Sequence, residues 1–328
     1  MSPAFQRRLP LLATTVVLAA LYAAGGIMYG GFLSGRVALN LLADNAALGI
    51  AAVGLTLVIF TGGIDLSVGA VVGFTSIFTA TLVEQHGVHP AVAAVAALAI
   101  GGTLGAGMGA LIHYFRQPAF LITLAGMFLM RGGAYWISTE SIGLTHPLYT
   151  RLAGFELPLS GRLGLPVTSL ALIAVLGLGG VIAHATRFGR NLLALGGSEQ
   201  SAFLMGVPLA GTRIAVYALS SLTATVAGLV LALYTGSGNP SFGLGLELDA
   251  IAVVVIGGTL LRGGRGQVLG TLLGLLVFGV IQTALTFDGR LSAQWGRIIV
   301  GALLLAFILV QRLLLDRIGR RRGKIHTV

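Results

Sequence analysis

Apolar runs of bilayer length recur from one end of the chain to the other, and no other feature limits its fold so tightly. About ten are legible, with cores near 9–29, 41–61, 66–84, 90–114, 118–138, 167–185, 213–235, 249–261, 268–287 and 297–315. Runs of this length predict an all-α integral membrane protein with about ten transmembrane helices. The eighth is short, which suits a tilted, buried or partly re-entrant segment. Composition agrees: 9% of residues are charged and the mean hydropathy is +0.96, whereas a soluble domain carries about a quarter charged residues. The whole chain, 1–328, reads as one transmembrane domain.

Charge sets the expected orientation. With the N-terminus inside, the inner segments collect Arg7, Arg8, Arg116, Arg187, Arg190, Arg213, Arg262 and Arg265. They also collect Arg312, Arg317, Arg320, Arg321, Arg322 and Lys324, making fourteen of the twenty basic residues. Arg36, Arg131, Arg151, Arg162, Arg290 and Arg297 fall outside or at outer helix ends. This bias predicts both termini in the cytoplasm, and an even number of spans agrees. Arg7-Arg8 before an apolar run to Ala24 also resembles a signal peptide, but the run continues to about Tyr29, so a retained first helix is expected. Two loops are long and polar: 139–166 on the expected outer face and 186–212 on the inner.

About half of the fifty glycines lie within the apolar runs, where they let helix backbones approach closely. Gly101, Gly105 and Gly109 share one helical face, and Gly266, Gly270 and Gly274 repeat the spacing. Both stripes predict helix–helix contacts. The segments 61-TGGIDLSVG-69 and 256-IGGTLLRGG-264 resemble one another, as an internal duplication or by chance in a Gly-rich chain.

Much chemistry is missing. There is no Cys, and six His have no ligand-like spacing, so neither disulfides nor a metal site is expected. No GxxxxGK[ST] motif occurs, so no P-loop ATP hydrolysis is expected. No catalytic constellation stands out, and no basic patch lies on a soluble face for nucleic acid. The acids cluster at span ends, which argues against ion relays within the spans. Energy for a membrane path would then come from a partner.

Four stretches carry a family likeness: 61-TGGIDLSVGAVVGFTS-76, 116-RQPAFLITLAGMFLMRGGAYWIS-138, 187-RFGRNLLALGGSEQSAFLMGVPLAGTR-213 and 247-ELDAIAVVVIGGTLLRGGRGQVLGTLLG-274. Through them, over about 37–312, the chain resembles the permease subunits of ribose-type bacterial sugar ABC importers. The runs 140-ESIGLTHPLY-149 and 281-IQTALTFDGRLSAQW-295 are most similar to the galactofuranose permeases. The resemblance implies the ABC importer permease fold in a bacterial inner membrane and a non-catalytic subunit. It implies a second related permease, a cytoplasmic ATPase that uses the ATP, and a periplasmic sugar-binding protein. Ribose or another monosaccharide is the alternative substrate. An ATP-independent facilitator or secondary transporter is the alternative of another class.

The resemblance also implies a coupling helix at Ser198, Glu199, Gln200, Ser201, Ala202, Phe203, Leu204, Met205 and Gly206. The local chemistry suits one: Ser198 can cap its start, Leu204 and Met205 give an apolar surface, and Gly206 with Pro208 ends it. Segment 139–166 is a candidate receiver for the binding protein. For the path, Asn45, Thr123, Asn239, Glu247 and Gln282 offer the amides and acceptors that sugar hydroxyls need; a cap or an interhelical bond is the alternative for each. Gly62, Gly63, Asp65 and Ser67 predict a turn near an inner gate. There the glycines permit the reversal, and Asp65 or Ser67 caps the third helix. Direct sugar contact by Asp65 is the other reading.

Overall fold

Helices dominate, as hydrocarbon requires when each backbone group must find its partner inside the protein. The structure, a computed structural model, describes residues 3–160, 163–290, 295–307 and 309. The end of the expected tenth span (310–315) and the basic tail from Arg312 to Lys324 lie outside the described residues, as do 161–162, Arg162 included, and 291–294.

Among the described residues, six helices are long and apolar enough to cross a bilayer. They are α1 (Pro3–Met28), α5 (Pro90–Tyr114), α6 (Ala119–Ile137), α8 (Val167–Ala185), α11 (Leu209–Thr235) and α13 (Val268–Asp288). The other expected spans are broken or short. The second is α2 (Gly35–Asp44) and α3 (Ala46–Phe60), bent by 56° at Asn45. The third is α4 (Val68–Glu84), and the eighth holds only α12 (Leu246–Ile256). At 1.5 Å per residue, α12 is about 16 Å long against a hydrocarbon core of about 30 Å, so as a helix it is half a span. A shorter apolar helix covers Trp295–Phe307.

Helix α3 is the centre. Every residue from Ala46 to Phe60 is buried, and α11, α8, α12, α13 and a short helix α9 (Arg187–Gly197) surround it. A helix apolar on all sides belongs inside a bundle. Small residues bring its neighbours close, as the glycine spacing predicts. Gly105 and Gly109 of α5 lie against the α11 backbone, where a Cβ would stand 2.8 Å from Ala218 Cα and 2.7 Å from Ile214 Cα. Gly270 and Gly274 of α13 press on the carbonyls of Gly257 and Val253, at and just beyond the end of α12.

Two non-helical segments precede the shorter helices α4 and α12. Residues 61–67 leave α3 and run inward before α4 begins; 237–245 leave α11 and run inward before α12 begins. They enter from opposite ends. Gly238 lies on Ser76 and Ala80, Pro240 and Phe242 on Gly73, and Gly243 on Gly69, so the second segment descends α4 antiparallel to it. The starts of α4 and α12 meet where Gly69 touches Gly243 and Glu247. The two Gly-Gly stretches that resemble each other in sequence are instead neighbours at one end: the Gly264 N–H donates to the Phe60 carbonyl at 2.9 Å.

The opposite end carries the longer segment 139–166. It contains β1 (Ile142–Gly143), α7 (Pro147–Ala153), β2 (Glu156–Ser160) and β3 (Leu163–Pro166). Strand β1 pairs with β4 (Ser237–Gly238), and β2 with β3, both antiparallel. Glu84 anchors this cap by accepting from the backbone N–H groups of Thr145 (2.8 Å) and His146 (3.0 Å) and from the Thr145 hydroxyl. Burial, then the Glu84 charge, raises the Tyr149 phenol above its ordinary value.

Gly105→Val is expected to force α5 and α11 apart, costing about 1–3 kcal/mol as other overpacked cores do. A lower unfolding midpoint in detergent would register it, while Gly107→Val, at a position with nothing within 4 Å, should leave the midpoint unchanged.

Candidate functional site

Backbone that leaves regular helix inside an apolar bundle needs partners from side chains, and where the starts of α4 and α12 meet it has them. Asp65 is fully buried. Its Oδ1 accepts from the Ser67 N–H at 2.9 Å and from the Ser67 hydroxyl at 2.6 Å. Its Oδ2 accepts from the Ser220 hydroxyl of α11 at 2.7 Å. The carboxylate thus closes the chain just before α4, near the positive end of that helix dipole, and ties it to α11.

This sharpens the capping expectation and corrects part of it. Asp65 is an acceptor at the helix start, but its donors are Ser67 and Ser220, the latter 155 residues away. Ser67 is the residue before α4 and makes no side-chain cap bond; its hydroxyl is spent on Asp65. Of the glycines, Gly62 has the φ of +79° that the reversal needs and packs on the Arg262 carbonyl, whereas Gly63 takes no left-handed φ and is glycine because a Cβ there would collide with the Tyr217 hydroxyl.

The second non-helical segment is held by a residue that sequence reasoning counted only for topology. Arg131, within α6, donates from Nη1 to the carbonyls of Pro240 (2.6 Å) and Phe242 (2.8 Å). An arginine inside an apolar span was the available signal, since such a charge requires a partner. The Asn239 carbonyl accepts from the Ser76 hydroxyl at 3.1 Å, and the Asn239 side chain accepts from the Ser241 N–H at 2.7 Å.

The five path candidates divide. Thr123 of α6 bonds the Ile64 carbonyl at 3.3 Å and its own helix at Ala119. Asn239 and Glu247 flank the seam along α4, and Glu247 has a buried Oε2 with no hydrogen-bond partner. These three therefore gather around the junction. Asn45 and Gln282 lie along α13 instead. Asn45 sits at the α2–α3 bend, buried beside Gly279, and its amide donates to the Leu41 carbonyl at 2.9 Å. Gln282 stands on α13 against Gly296.

The expected coupling segment forms α9 and then α10 (Glu199–Leu204). Ser198 caps α10 by accepting from the Ser201 N–H at 3.2 Å. At the other end Gly206 has φ +76°. Its N–H bonds the Phe203 carbonyl, and the Val207 N–H reaches back to Ala202, the paired bonds that close a helix on a left-handed glycine. Ala202 faces inward, whereas Phe203, Leu204 and Met205 are 67%, 78% and 68% exposed. Beside α10 opens a cavity of about 810 Å³, with Thr61, Gly63, Arg116, Gln117, Arg213 and Tyr217 in its wall. Among the described residues no cluster of three His, Cys, Asp or Glu side chains stands close enough to hold a metal ion.

Broken half-helices meeting inside a bundle, with irregular backbone buried between them, are how polytopic transporters line a path. The chain matches the family described as branched-chain amino acid transport system / permease component over residues 37–308, and it belongs to that family of transport permeases. It is 48% identical over 94% of its length to the inner membrane ABC transporter permease protein YjfF of Escherichia coli K12, covering 93% of that protein. It is 38% identical to the fructose import permease protein FruG of Bifidobacterium longum, over 94% of this chain and 92% of the other. With the ribose import permease protein RbsC of Bacillus subtilis it shares 35% identity over 87% and 88% of the two chains. No solved structure matches. The chain is a multi-pass inner-membrane protein.

Asp65→Leu strands three buried donors at about 1–3 kcal/mol each and should cost folded protein, seen as lost monodisperse material in detergent. Asp65→Asn keeps an acceptor and a partner for Ser220, and should retain most of it. Leu that inserts and unfolds like the native chain, yet does not transport, would show the carboxylate acting on the path.

Proposed function

We propose that this chain is the permease subunit of an ATP-driven sugar importer, with galactofuranose as its sugar. It pairs with a second, related permease, a cytoplasmic ATPase supplies the energy, and a periplasmic binding protein delivers the sugar. The observation that carries this reading is the extent of likeness to import permeases, over 94% of the chain for the fructose protein and 87% for the Bacillus ribose protein. The sugar itself rests on the runs 140–149 and 281–295. The chain binds no ATP of its own; hydrolysis belongs to the partner.

In this reading the end carrying 61–67, 186–212 and 257–267 faces the cytoplasm with both termini, and about ten segments cross. Segment 139–166 faces the binding protein. The apolar tip of α10 is what an ATPase groove would cover: three large exposed side chains on a capped helix at a water-facing end. Thr123, Asn239 and Glu247 border the path at the junction, and Gly62, Gly63 and Asp65 form the turn at its inner gate.

Two measurements test it. Met205→Glu, with a charge on the docking tip, should reduce co-purification of the ATPase at least tenfold and uptake to background, with insertion intact; normal complex and uptake would remove α10 from the contact. Reconstituted with its partners, the chain should import galactofuranose in preference to ribose and fructose, and only with ATP. Transport by the chain alone without ATP would establish a facilitator.

A further inference from the structure

We infer that one stripe of α11, Arg213, Tyr217 and Ser220, is the lever that joins the position of α10 to the buried turn at Asp65. The inference rests on the reading of α10 as the ATPase contact and adds the residues that carry its displacement inward. Spacings of four and three residues place the three side chains on one helical face, over a rise of about 10 Å.

Each member touches a different part of the route. Arg213, at the surface, places Nη2 3.0 Å from Glu199 Oε2 on α10 and Nη1 3.3 Å from His113 Nδ1 at the end of α5. Glu199 is 56% exposed, so this pair adds little to stability; its consequence is positional, since it fixes where α10 sits relative to α11. One turn deeper, Tyr217 is 1% exposed and its hydroxyl stands against Gly63, leaving no room for a Cβ there. A further turn in, Ser220 donates to Asp65 Oδ2 at 2.7 Å, and Asp65 in turn holds the start of α4.

The surroundings favour this face as the lever. The 810 Å³ cavity separates α10 from the turn, with Glu199 and Phe203 on one wall and Thr61 and Gly63 on another. Helix α10 therefore has space to shift without striking the turn directly. A second route runs through α9, where Gly196 sits on the Phe60 carbonyl. That contact is backbone on backbone and reaches the end of α3, not Asp65. Along α11, by contrast, the packing is tight from α5 on one side to α3 on the other, and a tightly packed helix moves as a unit between discrete positions.

The test uses the complete complex in proteoliposomes with sugar-loaded binding protein, reading sugar imported per ATP hydrolysed. Ser220→Ala and Arg213→Gln should each assemble with the ATPase and continue to hydrolyse ATP, with sugar per ATP lowered about tenfold. Ser220→Thr, which keeps the hydroxyl, should restore the ratio to within about twofold of the native value. If Ser220→Ala proves too unstable to assemble, Tyr217→Phe reads the same ratio from the middle of the stripe and should lower it about threefold. A native ratio in Ser220→Ala and Arg213→Gln, or in Tyr217→Phe where that variant stands in, would overturn the lever. Failure of the native chain to bind an ATPase would instead overturn the reading of α10, a separate outcome visible before any variant is made.

Discussion

Unpaired backbone at membrane depth is the constraint on which the rest of this structure depends. The segments 61–67 and 237–245 leave regular helix inside an apolar bundle, the second largely in turns, and each buried carbonyl or N–H there must be met by the protein itself. Asp65, Ser67 and Ser220 meet one segment, Arg131 and Ser76 the other, and Thr123 reaches the Ile64 carbonyl. The bundle buries other polar side chains, Thr56 and Thr271 bonded to each other at 2.7 Å among them, but these are the ones that hold the two interruptions. Their placement follows from the two interruptions, and α4 and the short α12 begin where they do because the interruptions are held.

The same constraint explains the glycines. Segment 237–245 can lie on α4 only if α4 presents a face without side chains, and Gly69 and Gly73 provide it. On the other flank, α5 closes on α11 through Gly105 and Gly109. Helix α11 thus sits between a smooth partner and the fully buried α3, with its polar stripe turned toward the turn at Gly63 and Asp65. A helix so placed is well suited to report at one end what happens at the other.

Much of this was legible in residues. The hydrophobic runs located the helical segments, and glycine spacing located two helix contacts. The family resemblance pointed to the short helix α10, and Ser198, Gly206 and Pro208 supported its ends, because capping is local chemistry. The Asp65 site was half legible: an acid after Gly-Gly before an apolar run is a helix start, but Ser220 could not be found from spacing. Arg131 was misjudged for a related reason. Counted as a charge near a helix end, it informs topology; its true partners, Pro240 and Phe242, are more than a hundred residues away. The likeness between the two Gly-Gly stretches left duplication and chance open; the structure places the two as neighbours and gives the opposed geometry to 61–84 and 237–256.

By itself, then, the sequence determined that the chain lies in a membrane, where its apolar runs fall and where two pairs of backbones touch, and it supplied the caps that end helix α10 once the family likeness had pointed to it. Each of these depends on residues within a turn or two of one another, or on summed transfer of side chains into hydrocarbon. Only the tertiary structure decided which hydropathy spans are whole helices and which are part helix, part irregular chain. Hydropathy measures side chains and is blind to whether the backbone beneath them is hydrogen-bonded locally. Where it is not, partners come from distant segments, and only the packed bundle brings Asp65 to Ser220 and Arg131 to the carbonyls of Pro240 and Phe242.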